Sequence, residues 1–326
     1  MSRVTQAALA RRLGVSQALV ARALKDDPAV AVATRARVRA EADRLGYRPN
    51  ATARALLSGR TGLVGLWIPR PYGSYAANII FNFEKLAQAA GADLLIRDLG
   101  PLGQSTGDHL RHMGWVDGFI VVDAVWQIDP LLQAAAASRP CVGLGVTAHP
   151  AVDGVTVDLY LGALRALRHL RSQGCRRIAY LFPGHPLGEH EARWRAYARI
   201  VDTPEVIEMR EPTRAAAHEA MLRHLRRHGP PDGVFCHNDD FALGALRALR
   251  ERKLHVPREV AVVGCDGIED TEYLDCPITT IRLPYEEMCR HAWRFLVERM
   301  DGLQEPPRQH RLQPELLVRA SSLRRG

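Results

Sequence analysis

The sequence predicts an all-α helix-turn-helix head followed by an α/β body built as two doubly wound, parallel-sheet lobes. Three observations carry that reading. Residues 1–60 hold twelve of the chain's 44 Lys/Arg but only four of its 36 Asp/Glu, so the net charge of +8 lies in the first fifth and the remainder is neutral. Inside that basic stretch, two short apolar-patterned segments flank a glycine. Beyond residue 61, apolar runs alternate with amphipathic segments, the pattern of repeated β-α units and parallel sheets. A basic head on a neutral body is the electrostatic footprint of a polyanion binder joined to a part with another task.

The bounds agree. At 326 residues the chain suits two or three domains, and its 47% apolar and 25% charged composition is that of a globular protein. No apolar run is long enough to span a membrane, and Met1-Ser2-Arg3-Val4-Thr5-Gln6 lacks the apolar core of a secretory signal. Cys141, Cys175, Cys236, Cys265, Cys276 and Cys289 form no Cys-x-x-Cys pair, which predicts free thiols in a reducing cytoplasm.

In the head, Thr5 is placed to cap a helix over Gln6–Leu13, with Gly14 in the left-handed position past its end. Ser16 caps a second helix over Gln17–Leu24. Two short helices around a glycine turn make a helix-turn-helix, with Ala10, Leu13, Val15, Val20 and Leu24 inward and Gln17, Ala18, Ala21 and Arg22 outward. A third helix is expected from about Ala33 to Leu45, ending at Gly46. Pro49 then breaks the chain, and Asn50 or Thr52 opens a helix of about two turns, too short to persist alone in water. It is expected to form only when docked, and DNA is the expected surface.

In the body, strands are expected at Leu63–Ile68, Ala92–Ile96, Gly118–Val122, Cys141–Leu144, Val155–Val157, Arg177–Leu181, Gly233–Cys236 and Val260–Gly264. Helices are expected at Ala76–Ala90, Gly162–Gln173, Arg214–His228 and Phe241–Arg252. Ligands bind beyond the carboxyl ends of such strands. Asp158, Arg193, Asn238 and Asp266 fall at or just after strand ends, a mixture suited to the paired hydroxyls of a polyol. Tyr72, Tyr75 and Trp126 are candidate lids.

Enzyme-like signals are weak. Gly103-Gln104-Ser105-Thr106-Gly107 fits the nucleophile-elbow pattern, but Leu99-Gly100-Pro101-Leu102 separates it from the preceding strand. His185, Glu189 and His190 lack the spacing that sets metal ligands on one helical face, and Gly143-Leu144-Gly145 is too little for a dinucleotide site. No enzymatic activity, cofactor or metal is expected. The rival reading is a small-molecule-binding or enzymatic α/β protein whose basic head binds nucleic acid non-specifically.

Residues 4–62 resemble the N-terminal segment of the lactose-repressor/galactose-repressor family of bacterial transcription regulators. The resemblance rests on Ala10-Arg11-Arg12-Leu13-Gly14-Val15-Ser16, on Thr34-Arg35 through Leu45-Gly46-Tyr47-Arg48-Pro49-Asn50, and on Ala53-Arg54-Ala55-Leu56 followed by Gly59-Arg60-Thr61. It implies that the second helix reads the major groove through Gln17, Ala18 and Arg22, and that Leu56 wedges a base step in the minor groove. An apolar wedge of this kind offsets unstacking by the contacts of a bent duplex. The implied DNA-contact set is Thr5, Ser16, Gln17, Ala18, Arg22, Thr34, Asn50, Ala53 and Leu56. Leu19-Val20-Ala21-Arg22 replaces the family's usual Thr-Val-Ser-Arg and removes two hydroxyls suited to phosphate.

The resemblance continues through Gly162–Ala179, Cys236–Asp239, Val256–Asp266 and Thr279–Arg282. It implies a periplasmic-binding-protein-like regulatory domain whose two lobes close on a small, sugar-like effector, contacted by Arg193, Asn238 and Asp266 and, by a looser match, Asp158; Tyr72, Tyr75 and Trp126 stay candidate lids outside that match. Leu283 replaces a common Gln and makes the rim less polar. The implied organisation is a DNA-binding domain over 1–46, a hinge over 47–60 and an effector and dimerisation domain over 61–326. Its first lobe takes about 61–158 and 284–308, its second 159–283 and 309–326. With no heptad tail, the expected assembly is a cytoplasmic homodimer on a pseudo-palindromic operator in double-stranded DNA.

Overall fold

The computed structural model describes residues 4–47, 59–69, 73–100, 113–123, 139–184, 191–209 and 211–324. By its contacts the chain divides into two compact units, Met1–Thr61 and Gly62–Gly326.

The first unit holds three helices: α1 (Gln6–Leu13), α2 (Gln17–Leu24) and α3 (Val32–Arg44). Their ends are set by the residues the sequence singled out. Thr5 Oγ1 accepts from Ala8 N and Ser16 Oγ from Leu19 N, both at 3.2 Å, so each helix starts on a satisfied amide. Gly14 sits at φ 66°, where a side chain would be strained. Arg37 Nη2 reaches back to the Leu13 carbonyl at 2.8 Å, satisfying an otherwise open α1 end. Leu9, Ala10, Val20, Ala23, Val30, Val38, Ala42 and Tyr47 form the core, with Leu13, Val15 and Leu24 only partly buried at its margin.

The second unit holds two six-stranded sheets. The first has the order β11-β5-β4-β3-β1-β2, from β1 (Leu63–Ile68), β2 (Asp93–Asp98), β3 (Gly118–Val122), β4 (Cys141–Gly145), β5 (Asp153–Val157) and β11 (Gln309–Leu312). All its neighbours run parallel. Its covering helices α4 (Ser74–Ala90) and α9 (Tyr285–Met300) bury Ile79, Phe83, Met288, Ala292 and Leu296 against Leu66, Ile120, Val142 and Val155.

The second sheet has the order β12-β10-β9-β8-β6-β7, from β6 (Ile178–Phe182), β7 (Glu205–Glu208), β8 (Gly233–Cys236), β9 (Ala261–Asp266), β10 (Thr279–Arg282) and β12 (Glu315–Leu317), the last antiparallel. Helices α5 (Leu159–Ser172) and α6 (Ala192–Ile200) lie on one face with Tyr180, Phe235 and Val263. Helices α7 (Arg214–His228) and α8 (Asp239–Glu251) lie on the other with Leu181, Val234 and Val262. Alternating strand residues thus serve two cores, as burial on both faces requires.

The chain passes between lobes after β5, after β10 and after β11. The third passage corrects the expected boundary at 308/309. Gln309–Leu312 pairs with Gly154–Val157 in the first sheet, so the change falls at Gln313-Pro314. A half-exposed edge strand with the composition Gln-His-Arg-Leu carries no apolar run to reveal it. Asp153, with no exposed side-chain surface, takes Arg299 at 2.9 Å and Arg308 at 2.8 Å and so fastens the end of α9 and the entry to β11 onto β5. All six cysteines are free thiols, five of them buried.

Candidate functional site

On the head, Gln17, Ala18 and Arg22 are exposed along α2, while Ala21 and Leu19 are half-buried. Arg22 Nε pairs with Asp27 Oδ2 at 2.7 Å, and Asp27 Oδ1 accepts from Ala29 N, so the guanidinium is oriented before it meets a partner. Three of the four acidic residues neutralise specific arginines: Asp27 takes Arg22, Glu41 takes Arg12 and Arg44, and Asp26 takes Arg39. Arg11 and Lys25 have no carboxylate partner among the described residues, and Arg35 and Arg37 donate to backbone carbonyls. Thr34 is half-buried at the start of α3. Asn50, Ala53 and Leu56, with the expected hinge helix, lie outside the described residues.

In the second unit the polar groups gather where strand ends of both sheets meet. Glu191 caps α6 through Trp194 N at 2.8 Å and holds Arg193 Nε at 2.8 Å. Arg193 Nη1 donates to the His237 carbonyl and Nη2 approaches His237 Nε2, both at 2.8 Å. A guanidinium has no acceptor, so Nε2 must offer its lone pair and the proton belongs on Nδ1. Nδ1 then donates to the Tyr180 hydroxyl at 2.9 Å, which turns its own proton toward Glu191 at 3.5 Å. All four side chains are buried. Burial opposes charge on Arg193, but Glu191 and the nearby carboxylates keep it protonated.

Two further carboxylates face this group. Asp123, ending β3 at φ 49°, accepts from Val146 N at 3.0 Å. Gly145 leaves the space for it, since a Cβ there would lie 1.9 Å from Asp123 Oδ1. Asp266, ending β9 at φ 121°, is buried and makes no side-chain hydrogen bond among the described residues. Beneath it Asp239, fully buried, accepts from Gly267 N at 2.7 Å, Ile268 N at 2.9 Å and Thr280 Oγ1 at 2.7 Å, pinning the loop that presents Asp266. Burial pushes Asp239 up to about 7. It pushes Asp266 well above the carboxylate range, with Asp239 adding to the effect, and raises Asp123.

Tyr75 from α4 and Tyr285 from α9 close this group, with ring centroids 5.9 Å apart. Both hydroxyls are buried without a well-formed hydrogen bond, although Tyr75 leans toward Asp123. At the mouth, Ser74 Oγ donates to Asp240 Oδ1 at 2.9 Å and receives Arg214 Nη2 at 2.9 Å, a link from the first lobe to the second.

Of the expected ligands, Tyr75, Arg193 and Asp266 come together here. Asn238 stands beside them but spends its Oδ1 capping α8 through Phe241 N at 2.9 Å. Asp158 is a correction: it caps α5 through Leu161 N at 3.0 Å and pairs with Arg311 at 2.8 Å, tying the first chain passage to the third. Tyr72 and Trp126 lie outside the described residues, as do His185, Glu189, His190 and the Gly103–Gly107 motif. Sequence reasoning missed Asp123, Glu191, His237, Asp239 and Tyr285. Asp123 had a signal, as the first polar residue after the apolar run Gly118–Val122.

Comparison with known proteins places this geometry. Residues 8–50 match the model of bacterial regulatory proteins of the lacI family, and residues 167–322 match a periplasmic binding protein-like domain. The chain belongs to the LacI family. The transcriptional repressor CytR of Escherichia coli K12 is 29% identical over 324 residues, covering 96% of this chain and 95% of that one. The lac repressor dimer bound to operator and an anti-inducer superposes with a TM-score of 0.81 at 24% identity, over 99% of this chain and 100% of that chain. A LacI-family regulator from Arthrobacter sp. FB24 in complex with lactose gives a TM-score of 0.70 at 28% identity, over 80% and 99%. This LacI-family member is a DNA-binding transcriptional regulator and not an enzyme. Among the described residues no helix is long and apolar enough to cross a membrane.

Proposed function

We propose that the protein is a cytoplasmic, homodimeric repressor of a pseudo-palindromic operator, released or recruited by a neutral polyhydroxylated effector of the sugar class. The observation that carries the effector class is the charge balance of the cleft. Among the described residues its one buried guanidinium, Arg193, is already matched by Glu191, while the carboxyls of Asp123 and Asp266 lie beneath two tyrosine rings. Hydroxyl groups can donate to and accept from such carboxyls, whereas a phosphate or carboxylate brought there would find the Arg193 guanidinium already spent on Glu191 in a dry site. The lactose held by the Arthrobacter regulator is of the class this arrangement suits.

On the head, Gln17 and Arg22 supply the base-reading groups, Arg22 aimed by Asp27, and Arg11, Lys25, Arg35 and Arg37 supply phosphate contacts. Two such heads on a dimer match an operator of two half-sites. Effector occupancy biases the lobes and is passed on through residues 47–60, including Asn50, Ala53 and Leu56. Such coupling is typically worth about 1–3 kcal/mol. A thermal-shift screen of neutral sugars, sugar phosphates and sugar acids, followed by operator gel shifts with each hit, tests the reading. Neutral sugars are expected to raise the melting temperature and change operator affinity; stabilisation by the anionic compounds alone would refute it.

A further inference from the structure

Outside the cleft, two histidines and a glutamate converge on the first lobe. Glu287 and His291 lie one turn apart on α9, on the same helical face. His310 comes from β11 at the sheet edge. His291 Nε2 is 3.8 Å from Glu287 Oε1, and the His291 and His310 rings stack with centroids 4.0 Å apart. One ligand atom from each of the three lies within 4.8 Å of the other two. His310 Nε2 is buried and makes no hydrogen bond among the described residues.

We propose that Glu287, His291 and His310 bind a divalent transition metal ion that favours imidazole, with zinc the reference case. Two nitrogens and one carboxylate oxygen, with water in a fourth position, suit zinc better than calcium or magnesium, which take oxygen ligands. Tetrahedral zinc sets its ligand atoms about 3.4 Å apart, so the trio must contract by about 1 Å, which the half-exposed Glu287 side chain can supply. Arg294 Nη2 lies 3.2 Å from His291 Nδ1 and, as a donor only, holds the ring with its proton on Nε2. Metal capture at Nε2 moves that proton to Nδ1 and displaces the exposed guanidinium toward Glu298, 4.0 Å away. The site would clamp α9, whose first residue Tyr285 reaches the cleft, to β11, which leads directly into the third passage between lobes. The proposal stands independently of the effector's identity.

The test uses the full chain without a histidine tag, stripped with a chelator, then titrated with zinc chloride while thermal unfolding is followed. A rise of about 5 °C at saturating zinc is expected, reversed by chelator. Cobalt(II) should give a visible absorption band of an imidazole-ligated ion. Both signals should vanish in the His291→Ala/His310→Ala double variant. With thirteen histidines in the chain, a zinc shift that survives in that variant overturns the proposal, as does no shift in the wild type. Should the double variant fail to fold, Glu287→Gln at the more exposed ligand decides: it must weaken zinc binding severalfold, and unchanged binding overturns the site.

Discussion

The head and the cleft handle polar groups in opposite ways. On the head, Gln17, Arg11 and Lys25 stand exposed, and the ion pairs that exist, such as Arg22–Asp27, lie at the surface. In the cleft, Arg193, Glu191, His237, Asp239 and Asp266 are buried, and all but Asp266 are bonded to one another or to backbone amides. A surface that meets a polyanion needs charge at long range and adjustable side chains, because the duplex supplies its own rigid pattern. A cleft that meets a small neutral molecule must supply the rigidity itself, so its groups are fixed beforehand. Substitutions in the cleft should therefore be felt as stability, and those on the head as binding alone.

The largest expected effect is at Arg193. Arg193→Ala leaves Glu191 buried without its partner and should cost about 3–5 kcal/mol in denaturant unfolding while abolishing the effector response. A stable Arg193→Ala protein would break the contrast.

Asp239 comes next and carries a pH signature. Its folded value near 7 lies above the unfolded carboxylate value, so the folded state holds the proton more tightly. The resulting penalty is absent below about pH 4, grows as pH rises and is complete above about pH 7. Relative to Asp239→Asn, the wild type should lose on the order of 2 kcal/mol between pH 5 and 8, read from urea midpoints. A flat difference would remove the claim.

On the head, Arg22→Ala should cost about 1–3 kcal/mol of discrimination between operator and altered half-sites in gel shifts, with unfolding nearly unchanged. Lys25→Ala should weaken all duplexes alike and lower the salt slope by about 1. If the two variants behave identically, the division between reading and anchoring groups is wrong. The smallest effect is expected at Ser74→Ala, which removes the link to Asp240 and Arg214: about 1 kcal/mol in effector affinity by calorimetry, and little in stability.

Much of this was legible from residues alone, for reasons that differ by element. The head could be read almost residue by residue because its helix ends are set by local chemistry at Thr5, Gly14 and Ser16. Most inner strands showed because burial on both faces demands continuous apolar runs, as in Gly118–Val122, whereas β10, Thr-Thr-Ile-Arg, carries no such run and was not expected. Edge strands β7, β11 and β12 carry Glu, Gln and Arg and did not show; nor did α6 and α9. In the cleft, Arg193 and Asp266 were legible, whereas His237, Glu191 and Tyr285 acquire their roles only through contacts between distant segments. Asp158 and Asn238 show the converse: a polar residue at a strand end is also a helix start, and the amide two or three residues on claims it first.

The interleaving of the lobes bears on how the protein is made. As it leaves the ribosome, the head is complete by about residue 61, and the second sheet has all but one edge strand once Arg282 has emerged. The first sheet must then still wait for α9 to cover Val142, Leu144 and Val155. A nascent chain paused near residue 283 would combine a finished reading head with a half-covered apolar sheet, the kind of species that chaperones hold and that aggregates without them.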